Sequence, residues 1–247
     1  MKIAGIIPAR YASSRFPGKP LADIKGKTMI HRVYEQCIKC TLLEKVIIAT
    51  DDERIFDEIE GFGGMAMMTS TRHESGTERC GEVVETLERQ GDVFDAIINI
   101  QGDEPFIDPD QITKVAIQLK NENVGIATLV KKITNRKELF DPNVVKVVLD
   151  KDGMALYFSR ATIPYLRGFE QVKWKNQHSY LKHVGIYGYK TETLKKITTL
   201  PKGKLEVAEM LEQLRWIENG YSIFAEETEL ESIAIDSEED LSKILNV

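Results

Sequence analysis

The sequence predicts an α/β fold in which helices cover a central sheet, and this class follows from two alternating periodicities and a change of pattern near residue 125. Three short β-branched runs alternate with three amphipathic stretches, an order typical of a parallel sheet covered by helices. In chain order, the runs and stretches occupy residues 2–7, 28–40, 45–50, 51–61, 76–90 and 95–100. The runs are apolar almost throughout, which indicates strands that are buried on both faces.

After residue 125, strand-like runs follow one another with few helical patterns between them, from "GIATLVKKI" to "KHVGIYGY". This spacing favours antiparallel pairing, so we predict a mixed central sheet with an inserted antiparallel portion at about 125–190. The polar segment 166–179 has no clear period and is predicted to be a long surface loop. Apolar residues at helical spacing predict a helix at 205–218. Two strands, at 222–227 and 231–236, and a last helix complete the expected order.

The composition is that of a globular protein with room for a sizeable core, because 42% of the 247 residues are hydrophobic. No internal repeat or interdomain linker is visible, so we predict a single domain over residues 1–247. The longest apolar runs are far shorter than the roughly 20 residues of a membrane span. No secretion-signal pattern opens the sequence. We therefore expect a soluble, cytoplasmic protein.

Charge and cysteine content argue against two further classes of protein. The net charge of -6 and the lack of a lysine-rich tract argue against a nucleic-acid surface. An odd number of cysteines, three in all, argues against a disulfide framework. The pair in "CIKC" has no partner pair at zinc-ribbon spacing and is best interpreted as two thiols on a buried helical face. Any anionic ligand must therefore be bound by local positive charge.

Such local charge occurs in residues 8–20, "PARYASSRFPGKP", directly after the first predicted strand. In open α/β sheets ligands bind beyond the carboxyl ends of the strands, and the loop after the first strand often binds phosphate. Neither G-x-x-x-x-G-K-[ST] nor G-x-G-x-x-G is present. Instead, Arg10, Arg15 and Lys19 can bind phosphate oxygens through their side chains. The alternative, a solvated loop with incidental charge, is disfavoured by three cations so close together in an acidic protein.

Several segments resemble, in order along nearly the whole chain, the 3-deoxy-manno-octulosonate (Kdo) cytidylyltransferase family, also called CMP-Kdo synthetases. The similar segments are "IIPARYASSRFPGKPL", "SGTER", "NIQGDEPFI", "NVVKVVLD", "ALYFSRATIP", "KHVGIYGY" and "EMLEQLR". The resemblance implies a Rossmann-like nucleotide-diphospho-sugar transferase fold and a homodimer. It also implies transfer of CMP from CTP to the anomeric hydroxyl of Kdo, with release of pyrophosphate, for lipopolysaccharide biosynthesis. A related sugar acid, of the sialic acid or 8-amino-Kdo type, is the alternative acceptor, and "RFPGKPL" favours Kdo.

The resemblance assigns catalytic roles to Arg10, Lys19 and Asp103. It implies a nucleotide site formed by Ala9, Arg10, Ser13, Ser14, Arg15, Lys19, Arg72, Ser75 and Thr77. In "SGTER", the hydroxyls of Ser75 and Thr77 can bind the polar edges of a base and ribose. Ser75 and Glu78 also form the S-x-x-E pattern of a helix start, and one turn can serve both roles.

Magnesium is the cofactor that the resemblance implies, with Asp103 and Asp236 as its ligands. Asp103 follows a predicted buried strand, where a carboxylate suits this hard cation, although a lone aspartate at such a place also occurs in turns and caps. Around Asp236, Ser237 and Asp240 form the pattern of a helix start, which explains acidic residues without a metal. Ala234 stands where the family commonly has glycine.

The sugar acid carries a carboxylate and many hydroxyls, so its site needs a cation together with donors and acceptors. The resemblance assigns this role to Gln101, Arg160, His183, Tyr187, Glu212 and Gln213. His183 and Tyr187 lie on the same face of a strand, because side chains alternate along it. Glu212 and Gln213 fall outside the apolar stripe of their predicted helix, so a solvated helix face is the alternative for them.

Overall fold

The computed structural model describes residues 1–12, 16–231 and 234–245, and these residues form one mixed sheet of nine strands covered by helices. The strands are β1 (Ile3–Ala9), β2 (Lys45–Thr50), β3 (Ala66–Met68), β4 (Ala96–Asn99), β5 (Ile126–Lys132), β6 (Lys146–Leu149), β7 (Ala155–Ser159), β8 (Leu181–Lys190) and β9 (Ile223–Glu227). The α-helices are α1 (Met29–Cys37), α2 (Glu53–Gly61), α3 (Gly76–Arg89), α4 (Pro109–Gln118), α5 (Arg136–Phe140), α6 (Trp174–Gln177), α7 (Thr191–Ile197), α8 (Lys204–Glu209), α9 (Gln213–Glu218) and α10 (Glu238–Leu245). Short 3₁₀ helices lie at Lys19–Leu21 and Gln171–Lys173.

The first half of the chain forms the predicted parallel layer. Strand β1 pairs in parallel with β2 and β4, and β2 pairs in parallel with β3. Side chains alternate between the two faces: Ile3 and Ile7 pack with α1, α2 and α4, whereas Ala4 and Ile6 pack with α3, α7 and α9. The predicted burial on both faces is confirmed. Because β1 and β4 are parallel neighbours, the loops that follow them meet at one edge of the sheet.

Strand β8 joins this parallel layer to the antiparallel portion, and the predicted mixed sheet is confirmed. It pairs in an antiparallel sense with β4, β5 and β6, and β6 pairs in the same sense with β7. A register shift between Thr128 and Leu129 interrupts the β5 to β8 pairing. The last strand, β9, returns in parallel beside β5.

The predicted continuous helix at 205–218 is wrong, because the chain breaks it into α8 and α9. Met210 adopts a left-handed backbone conformation, with φ of 53°. The carbonyls at the break are bound by a distant side chain: Arg160 donates from Nε to the Glu209 oxygen at 2.8 Å and from Nη2 to the Met210 oxygen at 3.3 Å. A helix end needs such partners for its carbonyl groups.

Two further predicted segments differ from the structure. The segment 166–179 is not a plain surface loop, because it contains the second 3₁₀ helix and α6, and Trp174 within it is buried. In the predicted strand 231–236, residues 232 and 233 lie outside the described residues, and 234–236 form no strand. Instead, the Ile235 amide donates to the Asp103 carbonyl at 2.9 Å. No helix in the three described ranges is long and apolar enough to cross a membrane.

Candidate active site

A cleft of about 250 Å³ opens at the carboxyl ends of β1 and β4. Its walls come from the end of β1, the first 3₁₀ helix, the start of α3, the turn after β4 and the segment before α10. Seven predicted site residues line this cleft: Ala9, Arg10, Lys19, Ser75, Gln101, Asp103 and Asp236. Residues far apart in the sequence, such as Lys19 and Asp236 at a separation of 217 positions, thus meet at the edge where the topology brings parallel strands to an end.

The centre of the cleft is an ammonium group between two carboxylates. Lys19 Nζ donates to Asp103 Oδ2 at 2.6 Å and to Asp236 Oδ1 at 3.4 Å. Lys19 opens a 3₁₀ helix whose N-cap, Gly18, has φ of 72°, a conformation that glycine adopts without steric cost. The bond from the Ile235 amide to the Asp103 carbonyl brings Asp236 to the same place. The structure therefore brings together the two predicted metal ligands and one predicted catalytic cation.

The donor set at Asp103 and Asp236 fits a magnesium ion. Within the described ranges, no group of three or more histidine, cysteine, aspartate or glutamate side chains could hold a metal by itself. Magnesium commonly binds one or two carboxylates and completes its octahedral shell with water and substrate phosphates. Two convergent carboxylates beside a cationic loop provide that partial shell. Here the shared position of the two carboxylates is taken by the Lys19 ammonium.

The start of α3 forms another wall, and Glu212 fixes its side chains. Ser75 caps the helix by accepting from the Glu78 amide at 3.2 Å. Its hydroxyl also donates to Glu212 Oε1 at 2.8 Å, while the Thr77 hydroxyl donates to Glu212 Oε2 at 2.8 Å. Burial raises the pKa of Glu212 above its ordinary value. The predicted helix start is confirmed, and the alternative of a solvated face for Glu212 is wrong.

Beside Gln101, strand β8 carries His183 and Tyr187 on one face, with ring centroids 5.1 Å apart. His183 Nε2 lies 3.0 Å from the Thr128 hydroxyl, and burial lowers the His183 pKa to about 4. The buried Tyr187 hydroxyl and Asn99 Oδ1 have no hydrogen-bond partner in the part of the chain that the structure describes. These two residues are cross-strand partners. Buried polar atoms of this kind are normally satisfied, so both atoms need a partner such as a polar ligand atom or water.

Gly185 brings the turn after β4 close to strand β8. A Cβ atom at this position would lie 3.5 Å from Glu104 Oε1 and 3.7 Å from Gln101 Cγ. Gln101 therefore stands between the carboxylates of the cleft and the ring pair on β8. The arrangement connects the predicted metal ligands to the predicted sugar-binding side chains.

Three predicted site residues, Arg160, Gln213 and Arg72, do not line the cleft. The guanidinium of Arg160 binds the backbone carbonyls of Pro142, Glu209 and Met210 and does not line the cleft. Gln213 is buried at the start of α9, and the exposed Arg72 contacts Ser70. Ser13, Ser14 and Arg15 lie outside the described residues. The binding roles assigned to these residues stay predictions.

Arg79 lines the cleft although no role was predicted for it. Its side chain is buried, donates from Nη2 to Asp51 Oδ2 at 2.8 Å and also binds Thr69. It stands four residues after Ser75, so both lie on the same side of the first turns of α3. That spacing in "SGTER" was the available signal. Because Asp51 balances its charge, Arg79 ties the start of α3 to the end of β2.

This mixed sheet, with a cationic loop facing two carboxylates at its carboxyl edge, defines an α/β enzyme that acts on phosphate-bearing nucleotides. Residues 4–230 match the family described as cytidylyltransferase. The 3-deoxy-manno-octulosonate cytidylyltransferase of Parabacteroides distasonis is 52% identical over 99% of this chain and 97% of its own length. That of Cytophaga hutchinsonii is 49% identical over 99% and 96%. The chain belongs to the 3-deoxy-manno-octulosonate cytidylyltransferase family.

A solved structure supports this assignment at the level of the fold. It is a CMP:2-keto-3-deoxy-manno-octonic acid synthetase complexed with CTP, 40% identical to this chain, with a TM-score of 0.91. The similarity covers 100% of this chain and 98% of the other. The α/β fold, including its antiparallel portion, is therefore that of the family.

Proposed function

We propose that this protein transfers CMP from CTP to the anomeric hydroxyl of 3-deoxy-D-manno-octulosonate, giving CMP-Kdo and pyrophosphate for lipopolysaccharide biosynthesis. The observation that carries the proposal is the cleft in which Lys19 meets Asp103 and Asp236, with Arg10 beside them. The names of the relatives support Kdo over a sialic acid or 8-amino-Kdo as the acceptor.

The triphosphate of CTP would lie against Arg10 and Lys19. Phosphoryl transfer of this kind depends on positioning and on balancing the charge of the phosphates, with little covalent work for the protein. An arginine can bind two phosphate oxygens at once, and a lysine acts as a point charge. The nucleoside would extend towards Ala9 and Ser75, which also line the cleft.

Asp103 and Asp236 would hold Mg²⁺ in this proposal. When bound, the ion balances phosphate charge and makes the attacking sugar hydroxyl more acidic. Binding at the two carboxylates would release the Lys19 ammonium, which now contacts both of them. Lys19 could then donate to phosphate oxygens, so one side chain serves the carboxylates before loading and the triphosphate afterwards.

The sugar acid would bind between Gln101 and the rings of His183 and Tyr187. The support is chemical: a buried hydroxyl and a buried amide oxygen that have no hydrogen-bond partner among the described residues suit an acceptor rich in hydroxyl groups. Neutral His183, whose pKa is lowered to about 4, offers a donor or an acceptor rather than a charge. Arg160 would supply a cation for the sugar carboxylate only if its side chain left the three carbonyls that it now binds.

The decisive experiment is a pyrophosphate-release assay with Mg²⁺. CTP with Kdo should give release, whereas UTP with Kdo and CTP with N-acetylneuraminate should give little. No release with any pair would overturn the enzymatic proposal. Faster release with N-acetylneuraminate than with Kdo would overturn the acceptor assignment and leave the cytidylyltransferase activity standing.

We further propose a cytoplasmic homodimer that associates through the antiparallel portion. Tyr165, Phe169 and Val172 are large apolar residues of this portion with exposed fractions of 74%, 47% and 58%. Clustered exposed apolar side chains are common at protein interfaces. The free thiols of Cys37, Cys40 and Cys80 agree with a reducing compartment. Light scattering should give twice the chain mass, and a monomer mass would contradict the dimer.

A further inference from the structure

The two ends of the cationic loop meet at Tyr11. Tyr11 directly follows Arg10, and Gly18 directly precedes Lys19. The Gly18 amide donates to the Tyr11 carbonyl at 3.0 Å. A Cβ atom on Gly18 would lie only 3.1 Å from the tyrosine ring. The backbone at Arg10 and the backbone at Lys19 are therefore held together by one contact between their neighbours.

Arg54 lies over one face of the Tyr11 ring. The Arg54 guanidinium carbon lies 3.3 Å from the ring centroid, a cation–π arrangement. Arg54 is itself oriented by Asp52, which accepts from Nε at 2.9 Å and from Nη2 at 2.6 Å. Asp52 also caps α2 by accepting from the Arg54 amide at 3.0 Å. The first turn of α2 thus places a planar cation over the loop after β1.

We propose that Arg54, acting through Tyr11, is a positioning residue that sets the relative placement of Arg10 and Lys19 in the cleft. Asp52, Arg54, Tyr11 and Gly18 form a bracket behind the cationic loop. None of these four lines the cleft, so the bracket acts through the two cations at its ends. This inference rests on the proposed function for its kinetic consequence, but not for the structural contact itself.

Loss of the bracket should change the rate of catalysis, whereas loss of a general stabilising contact changes folding stability. The Arg54 side chain is 59% exposed, and exposed charged contacts contribute little to folding stability. Displacement of a catalytic group by about 1 Å, in contrast, can cost about a hundredfold in rate. Loss of the bracket should therefore slow turnover far more than it lowers the melting temperature.

Kinetics with CTP and Kdo test the inference. Arg54→Ala and Tyr11→Leu should each reduce kcat/KM for CTP by about ten- to a hundredfold, with part of the loss in kcat. Because the two residues act through one contact, the double variant should lose no more than the worse single variant. Arg54→Lys keeps the charge but not the planar group, so its loss in kcat/KM should be only partly smaller than that of Arg54→Ala. Tyr11→Phe keeps the ring, so its loss in kcat/KM should be much smaller than that of Tyr11→Leu.

The matched control is Arg136→Ala, because Arg136 also lies over an aromatic ring, that of Phe140 at 5.4 Å, and does not line the cleft. It should leave kcat/KM unchanged. Wild-type kinetics in Arg54→Ala, or additive losses in the double variant, would overturn the inference. A rate loss that only follows a lowered melting temperature would overturn it as well.

Hydrogen exchange provides a readout that does not depend on the acceptor. In Arg54→Ala the Gly18 amide should exchange at least about tenfold faster than in the wild type, while amides of β1 and β4 keep their rates. Unchanged exchange at Gly18 would overturn the bracket. If the wild type released no pyrophosphate with CTP and Kdo, the proposed function would fail, and the exchange rates would still decide the role of Arg54.

Discussion

Lys19 and Asp103 form a 2.6 Å ion pair across the cleft, although 83 residues separate them in the chain. Both side chains are largely buried, with exposed fractions of 14% and 26%. Neutralising the aspartate should therefore remove a cation ligand and leave Lys19 without its main partner. Loss of the pair should affect catalysis and metal binding more than folding. The reason is that the pair lies in the cleft at the carboxyl edge of the sheet and outside both large apolar clusters.

Asp103→Asn should abolish turnover and leave the fold intact. An amide oxygen is a poorer magnesium ligand than a carboxylate and carries no charge. Pyrophosphate release and circular dichroism check the two parts. The matched control is Asp110→Asn, an exposed position in the first turn of α4, which should keep full activity. Activity near wild type in Asp103→Asn would remove this residue from the proposed metal site.

Lys19→Met should bind divalent metal more tightly than the wild type in the absence of CTP, while its turnover falls. The Lys19 ammonium competes with a metal ion for Asp103 and Asp236, and methionine has similar length without charge. We expect Mn²⁺ affinity to increase about tenfold. This corresponds to a small part of the electrostatic attraction between Lys19 and the two carboxylates, which a bound ion must replace. Electron paramagnetic resonance of free Mn²⁺ measures it. Weaker metal binding in Lys19→Met would contradict competition at this site.

Arg10→Ala should lower kcat by about two to three powers of ten if Arg10 stabilises charge that develops during transfer. Arg10 lines the cleft at the end of β1 and is followed by the Tyr11 contact described above. Steady-state kinetics over a range of CTP concentrations separate the two possible effects. An increase confined to KM would mean that Arg10 binds the substrate and the transition state equally.

Residue positions that depend on strand order and local spacing can be predicted from the sequence. Lys19 and Asp103 follow neighbouring parallel strands, so their meeting follows from the α/β alternation and the known place of ligands in such sheets. The helix start at Ser75 depends only on residues within one turn. These features can be predicted because few long-range contacts are needed to produce them.

Backbone features that depend on a distant side chain cannot be predicted in this way. Arg160, at the end of β7, binds the carbonyls at the break between α8 and α9, and no local pattern in 205–218 reveals this contact. The break ends α8 at Glu209 and places Glu212 at the N-cap of α9. Glu212, which falls on the solvated side of a continuous helix, therefore faces Ser75 and Thr77 in the structure.

Glu212→Gln should change the pH dependence of stability. Burial raises the pKa of Glu212 above its ordinary value of 4.5, so the folded protein keeps a proton that the unfolded chain has lost. Stability from this group is therefore present below pH 4.5 and is lost as the pH rises through the raised folded-state value. In Glu212→Gln this loss should vanish, as measured by urea unfolding between pH 4 and 8. The same decline in both proteins would contradict the assignment.

His183→Gln should reduce the loss of folding stability at acidic pH. Burial lowers the pKa of His183 from 6.5 to about 4. Between these two pH values the imidazole is therefore protonated in the unfolded chain and neutral in the folded protein. Stability is therefore complete above pH 6.5 and falls as the pH drops towards 4, by at most about 3 kcal/mol. Glutamine keeps a donor for the Thr128 hydroxyl, which lies 3.0 Å from His183 Nε2, but does not titrate. Urea unfolding at pH 7 and 4.5 should show a smaller difference for His183→Gln than for the wild type. The exposed His178→Gln serves as the control and should behave as the wild type does, whereas equal acid sensitivity in all three proteins would show that His183 is not the group responsible.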